Sequence, residues 1–385
     1  MITSITFFII LSISFVLYWI IPINYKSRSF LLIISSVLFL FCFDMSAVFI
    51  TLILSIYTYS SGLFLLKQKN KGLIHFISII GLLLSLALIK YLGLFQTVLH
   101  SVNELTRILP SFEMKNILLP LGLSYLVLKH ISFLTDIKWG IIKEITIVDF
   151  LAYSFLFTIF TAGPIERYER LQPQLDDKEM KFKSAFVDEG FKRIVFGLFK
   201  KLVIADWIAY FINPVLQNRN EYPMDIQILA LLGFSFQIYF DFSGYSDIAI
   251  GSSRLFGLII IENFDYPYLK RNISQFWRGW HISLSDWIRD YLFMSLAKIL
   301  DNKLWLFIFV PLISMGLCGL WHGAKWNFII WGLWHGLGIS IYRIFTYYEK
   351  RNDSIRKISK FIFKKPVSVL ITFLFITVGW IWFIL

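Results

Sequence analysis

A chain of 385 residues that is 57% hydrophobic and 16% charged, with a mean hydropathy of +0.68, has too little polar surface to close a water-soluble fold. Its formal charge of +12 invites a nucleic-acid reading, but the basic residues lie in short loops between apolar runs, where the positive-inside tendency of membrane proteins accounts for them. Cys42 and Cys318 both sit inside apolar segments, which excludes a disulfide framework and a paired-cysteine metal knuckle.

Apolar runs fall in chain order near 4–21, 28–43, 46–66, 73–90, 117–135, 148–163, 193–212, 226–250, 304–320, 324–345 and 366–385. Leu, Ile and Phe occupy consecutive positions in them, so helices are expected and a barrel of alternating strands is excluded. The expected fold is an all-α integral membrane protein, a multi-span bundle of about eleven transmembrane or half-membrane helices with re-entrant and interfacial helices. It forms one membrane domain over 1–385, with N-terminal spans in 1–116, a core in 117–345, and a basic cytoplasmic loop and last span in 346–385. The first run starts at Met1 with no basic region or cleavage site, and so reads as a retained anchor. No internal repeat of transporter type is visible.

The basic loops order the spans. Lys26 and Arg28, then Lys67, Lys69 and Lys71, then Lys138 and Lys143 are separated by pairs of runs, which puts all three loops in the cytoplasm and the amino terminus outside. The tract from Tyr347 to Lys365 belongs on the same side, so one of the five runs between must not cross. The run 148–163, which ends at Gly163-Pro164, is the expected half-membrane helix. The segment 262–303 is too polar to cross simply and too aromatic to be a plain loop, which predicts amphipathic or re-entrant helices.

Polar groups at membrane depth mark sites or packed polar contacts. In 237–247, Gln237, Asp241 and Tyr245 fall at helical spacing on one face, with Asp247 close by. Asp241 and Asp247 either hold neighbouring helices in register, paired with Arg254 or Arg278, or touch substrate. In 276–291, Trp277, His281, Leu284, Ser285 and Ile288 share a face if the segment is helical. Arg278, Asp286, Arg289 and Asp290 are expected as interfacial ion pairs. In 318–336 the pattern Gly-Leu-Trp-His-Gly occurs twice, around His322 and His335.

The two histidines are thirteen positions apart, about 220° on one continuous helix, so they could not both face one reaction centre. His322 lies at the break between two runs, where irregular backbone is tolerated only against protein or a cavity. That makes His322 the candidate base and His335 structural. Cys318, one helical turn before His322, is a weaker candidate nucleophile. No spacing of His, Cys, Asp or Glu suits a metal ion.

Several stretches together resemble the membrane-bound O-acyltransferase superfamily, in particular its bacterial alginate O-acetyltransferase and D-alanyl-lipoteichoic-acid acyltransferase branch. They are Ala162 to Tyr168 with Pro173 to Leu175, Gly197 to Asp206, Gln237 to Ile250, Glu262 to Phe264, Trp277 to Tyr291 and Gly319 to Gly336. The resemblance implies a helical bundle with a tunnel, a catalytic histidine at His322 and a second functional histidine at His281. In such chemistry a neutral imidazole takes the proton of an acceptor hydroxyl as it attacks a thioester carbonyl. Trp280, Trp321 and Asn327 are candidates to stabilise the oxyanion, and Asp241, Tyr245 and Asp247 to line the passage.

The function expected from this resemblance is transfer of an acyl group, foremost acetyl, from a cytoplasmic thioester across the membrane to hydroxyls of an exported or cell-surface polysaccharide. The donor would be acetyl-CoA or an acyl-carrier thioester, with no permanent cofactor. The partners would be a secreted or periplasmic acyltransferase, the glycan acceptor and membrane lipid, with no nucleic acid, in a bacterial cytoplasmic (inner) membrane. D-alanyl transfer from a carrier protein to teichoic acid is the enzymatic alternative. The alternative of another class is a polysaccharide or lipid transporter, in which the same residues would relay protons.

Overall fold

The computed structural model describes residues 1–21, 25–91, 120–177, 180–299, 303–323, 325–362 and 364–385. The boundary expected at 116–117, the first residues of the run 117–135, residues 300–302 and Ala324 lie outside them. The described residues are helical apart from connecting loops, a few short turns and one isolated antiparallel bridge between Phe264 and Trp280. They fall into two compact units, Met1–Lys192 with Ala249–Ile260, and Arg193–Ile248 with Ile261–Leu385.

The first unit begins with α1 (Ile5–Ile20), α2 (Tyr25–Phe43), α3 (Met45–Lys67) and α4 (Gly72–Lys90), followed by α5 (Leu123–Trp139), α6 (Ile147–Phe155) and α7 (Tyr168–Leu175). Asp44 separates α2 from α3 by capping: its carboxylate accepts from Ala47 N–H at 3.2 Å and Leu121 N–H at 3.0 Å, and from the Ser46 hydroxyl at 2.6 Å. Burial pushes that carboxyl up, but the Ser46 hydroxyl and the backbone donors outweigh it and hold its pKa below the usual range. α5 ends at Gly140, whose φ of 78° lets Ile141 N–H return to Asp136 C=O at 2.9 Å. α6 has nine residues, about 14 Å, too short to cross a bilayer.

Helices of this unit are stitched by small polar contacts, such as Ser14 to Ser35 at 2.7 Å and Thr158 to Ser253 at 2.6 Å. Another fully buried contact is on α5, where both ring nitrogens of His130 are met, by Thr58 Oγ1 at 3.0 Å and Ser154 Oγ at 3.1 Å. Beside it, Lys129 donates to the Tyr153 carbonyl, and the Tyr153 hydroxyl donates to the Lys129 carbonyl at 3.0 Å.

α8 (Ser184–Leu198) runs through a π-helical segment, Phe199–Ala205, into α9 (Asp206–Gln217), and α10 (Met224–Leu255) follows. At 32 residues, about 48 Å, α10 exceeds the ~30 Å hydrocarbon layer and must tilt or protrude. The polar segment holds three short helices, α11 (Ile273–Trp277), α12 (Ile282–Trp287) and α13 (Met294–Ile299), with a π-helical turn at Ile288–Phe293. Last come α14 (Lys303–His322), α15 (Trp326–Glu349), α16 (Asp353–Ile362) and α17 (Lys365–Ile384).

Among the described residues six helices are long and apolar enough to cross a membrane, at Lys26–Phe43, Met45–Lys67, Gly72–Lys90, Met224–Leu255, Trp326–Glu349 and Lys365–Ile384. Ile5–Ile20 and Ile308–His322 are shorter apolar helices. α14 and α15 pack backbone to backbone: a Cβ on Gly319 would collide with the Phe328 carbonyl, and one on Gly332 with that of Met315. Such contact replaces the hydrophobic drive that lipid does not supply.

Candidate functional site

His322 is the last residue of α14, and Gly323 begins the break before α15. Its half-buried ring is walled by Trp321 at 4.9 Å, Trp331 at 5.1 Å and Phe383 at 5.4 Å between ring centroids. The chain turns back there, at the break expected between the two runs, so α14 and α15 are two helices and the separation of about 220° that one continuous helix would impose on His322 and His335 does not apply. Both histidines pack on Trp331, His322 at 5.1 Å and His335 at 4.9 Å.

His335 is fully buried, caged also by Trp277 at 5.2 Å, Phe375 at 6.1 Å and Trp380 at 6.2 Å. Neither of its ring nitrogens has a hydrogen-bond partner among the described residues.

His281 does not continue a helix with Trp277, as the shared face at 277–288 required. α11 ends at Trp277, α12 starts at Ile282, and His281 sits between them with φ 44° and ψ 55°. A left-handed conformation is uncommon for a residue with a Cβ and persists only where the surroundings enforce it. Here Asp265 N–H donates to Gly279 C=O at 2.9 Å, and Ile282 N–H to Asn263 C=O at 3.0 Å.

Asn263 fixes the tautomer of His281. The Ser283 backbone N–H, which can only donate, lies 3.2 Å from the Asn263 side-chain oxygen, and the Ser283 hydroxyl 2.8 Å from it. That atom is therefore an acceptor, so His281 Nδ1, 3.1 Å away, carries the proton and Nε2 the lone pair. The Asn263 amide donates onward to Ser246 Oγ at 3.1 Å. Phe242 packs edge-on to His281 at 4.7 Å, and His281 and His322 lie within electrostatic reach of each other.

Asp241 and Asp247 are paired, but with other partners than Arg254 and Arg278. Asp247 binds Arg193 Nε at 3.0 Å and Lys200 Nζ at 2.6 Å, and Arg193 also clamps Glu262. Asp241 binds Lys201 at 2.5 Å, which also reaches Asp206 at 2.9 Å. Arg254 instead pairs with Glu189 at 2.7 Å. Lys200 and Lys201 lie in the π-helical segment and serve carboxylates six positions apart on α10. The pairing favours the register-holding role for both aspartates.

Tyr245 is half-buried on the same helix. Trp280 is buried among Phe264, Phe276 and Trp380, at 5.2, 5.6 and 5.2 Å. Asn327 lies in the first turn of α15, four residues before Trp331. Cys318 is buried one turn before His322. Among the described residues no group of His, Cys, Asp or Glu is arranged to hold a metal ion.

Sequence reasoning did not single out Asn263, His130 or Lys129. Asn263 lies in the Glu262 to Phe264 stretch, but its contact with His281 depends on a loop geometry that no periodicity reports.

The chain is thus an apolar helical protein with a histidine at a helix break, walled by aromatic rings. The model of the membrane-bound O-acyltransferase family matches residues 102–378, and the chain belongs to that family. It is 36% identical over 301 residues to the probable alginate O-acetylase of Pseudomonas aeruginosa, covering 76% of this chain and 55% of that protein. To the peptidoglycan O-acetyltransferase of Helicobacter pylori it is 31% identical over 331 residues, 79% of this chain and 61% of that protein. To the teichoic acid D-alanyltransferase of Bacillus subtilis it is 31% identical over 289 residues, 70% of each. The chain thus spans little more than half the length of its alginate-type relatives.

Proposed function

We propose that this protein is a membrane O-acyltransferase that moves an acetyl group from a cytoplasmic thioester toward hydroxyls of an exported or cell-surface polysaccharide, in a bacterial inner membrane. The observation that carries the reading is His322, an imidazole at the end of a membrane helix, half-buried between indole rings and within electrostatic reach of His281. Relatives named as alginate and peptidoglycan O-acetylating proteins support the acetyl group and the glycan.

In this reading neutral His322 accepts the proton of the acceptor hydroxyl as its oxygen attacks the thioester carbonyl. The carbon–oxygen bond forms, the carbon–sulfur bond breaks, and the imidazolium returns the proton to the departing thiolate, so an ester and a thiol leave. Trp321, the nearest indole to His322, is the first candidate donor to the oxyanion, ahead of Asn327 and Trp280. A secreted or periplasmic transferase would carry the acetyl group to its final acceptor.

The test is transfer of labelled acetyl from a thioester in proteoliposomes. His322→Ala is expected to cost about 10²- to 10⁴-fold in rate, the usual contribution of a general base, with the melting temperature kept. Transfer by His322→Ala at the unmutated rate would overturn the proposal, and uptake of unmodified glycan in its place would favour a transporter. The second reading, D-alanyl transfer, rests on the relative named for it, and a D-alanyl carrier-protein thioester offered beside acetyl-CoA decides between the two.

A further inference from the structure

A cavity of about 300 Å³ that the proposed chemistry leaves unused is lined by Trp277, Arg278, Asp286, Arg289, Ser314 and Arg343 among others. Three guanidiniums therefore face one carboxylate. Arg289 is satisfied, 2.5 Å from Asp286 and 2.7 Å from Asp290. The expected interfacial pairs include Arg289 but not Arg278: among the described residues neither Arg278 nor Arg343 has a carboxylate within ion-pair distance. The two lie within electrostatic reach of each other, and Arg343 rests over the Phe293 ring at 4.5 Å. Two like charges held on one partly desolvated wall are unfavourable until an anion joins them.

A second observation points into the same cavity. Ser314 is 1% exposed, and its hydroxyl has no hydrogen-bond partner among the described residues; the same holds for the indole N–H of buried Trp277. A serine on a helix normally returns its hydroxyl to a carbonyl one turn back. Its failure to do so leaves a donor for whatever enters the cavity.

We infer that this cavity is a phosphate-ester site, with Arg278 and Arg343 holding the phosphate and Ser314 and Trp277 donating to acceptors further along the ligand. A terminal phosphate offers three oxygens and up to two charges, enough to serve two forked guanidiniums at once, where a carboxylate has two oxygens and a single charge. Phosphate esters reach a membrane protein from two sources, the headgroup of an anionic phospholipid and the phosphate of a coenzyme-type thioester. Trp277 packs on Trp331 at 5.9 Å, and Trp331 on His322 at 5.1 Å, so the cavity ends two rings from the imidazole. That placement favours the thioester, and this choice of source, unlike the site itself, rests on the acyl-transfer reading.

The experiment uses the full chain in detergent, with three probes: coenzyme A and phosphate-free pantetheine in equilibrium dialysis, and phosphatidylglycerol counted by native mass spectrometry. Arg278→Gln or Arg343→Gln is expected to weaken coenzyme A about tenfold, the loss of one charge-assisted pair, and to flatten its salt dependence. Pantetheine should bind the variants and the unmutated protein alike. Loss of phosphatidylglycerol with coenzyme A unaffected would keep the phosphate-ester site and assign it to lipid.

Coenzyme A and phosphatidylglycerol bound equally by both variants and the unmutated protein would overturn it. Should Arg343→Gln fail to fold, Arg278→Gln, at an exposed position, gives the same readout. Binding that depends on Arg343 in a protein without acyl transfer would leave this site standing and remove the function proposed above.

Discussion

His130 and His335 are both fully buried imidazoles, one in each compact unit, and their surroundings treat them oppositely. His130 has a hydroxyl on each ring nitrogen, at 3.0 and 3.1 Å. His335 has none among the described residues, and meets the faces and edges of Trp277, Trp331, Trp380, Phe375 and Phe276. A fully satisfied buried polar group rigidifies and specifies packing, whereas an unmet one is tolerated only where something else compensates. Residue type and burial therefore cannot separate a structural histidine from a functional neighbourhood. The hydrogen-bond inventory can.

The largest effect after removal of His322 is expected at Asn263. Its side-chain oxygen fixes the His281 proton on Nδ1, so Asn263→Ala frees the ring to take the other tautomer and to turn. Misorientation of a group near the reacting atoms costs on the order of 10²-fold in rate. The measurement is acetyl transfer by Asn263→Ala beside Asn263→Asp, which keeps an acceptor and should recover most of the loss. Equal losses in the two variants would show that Asn263 matters for packing and not for the tautomer.

What could be read in advance follows from which physical signal each feature leaves in the chain. Among the described residues the apolar runs fall on helices, apart from the second half of 148–163, because lipid burial imposes continuous hydrophobicity. The special position of His322 was legible for the same reason, since the runs on either side of Gly323 cannot be one span with a polar break in it. Partner choice was not legible. Asp247 pairs with Arg193 and Lys200, 54 and 47 residues away, whereas Arg254 and Arg278, the expected partners, lie closer in sequence. Nor was the left-handed backbone at His281 legible, because the helical spacing of Trp277, His281 and Leu284 is real in the sequence and is overridden by the loop contacts at Asn263 and Asp265.

In the other half of the comparison, His130→Ala leaves the Thr58 and Ser154 hydroxyls buried without their shared partner. It should cost on the order of 2–3 kcal/mol of stability, the usual penalty for stranded buried polar groups, while acetyl transfer per folded molecule is unchanged. Unfolding in detergent by denaturant gives the first quantity and the proteoliposome assay the second. A cost below about 0.5 kcal/mol would mean that these hydrogen bonds do not hold α3, α5 and α6 together.

The smallest effect, and the sharpest test of the contrast, is His335→Phe. Phenylalanine nearly conserves the ring volume, keeps the edge contacts with Trp277 and Trp331, and removes two nitrogens that no described group meets. Replacing an unsatisfied polar ring by an apolar one of similar shape is neutral or stabilising, so the change should lie within about 1 kcal/mol of zero and on the favourable side. A clear destabilisation would mean that the ring nitrogens are engaged by water or ligand in the folded protein, and the opposition between His335 and His130 would vanish. If stability is kept and acetyl transfer falls, the unmet nitrogens serve the reaction through Trp331, the ring that His335 shares with His322.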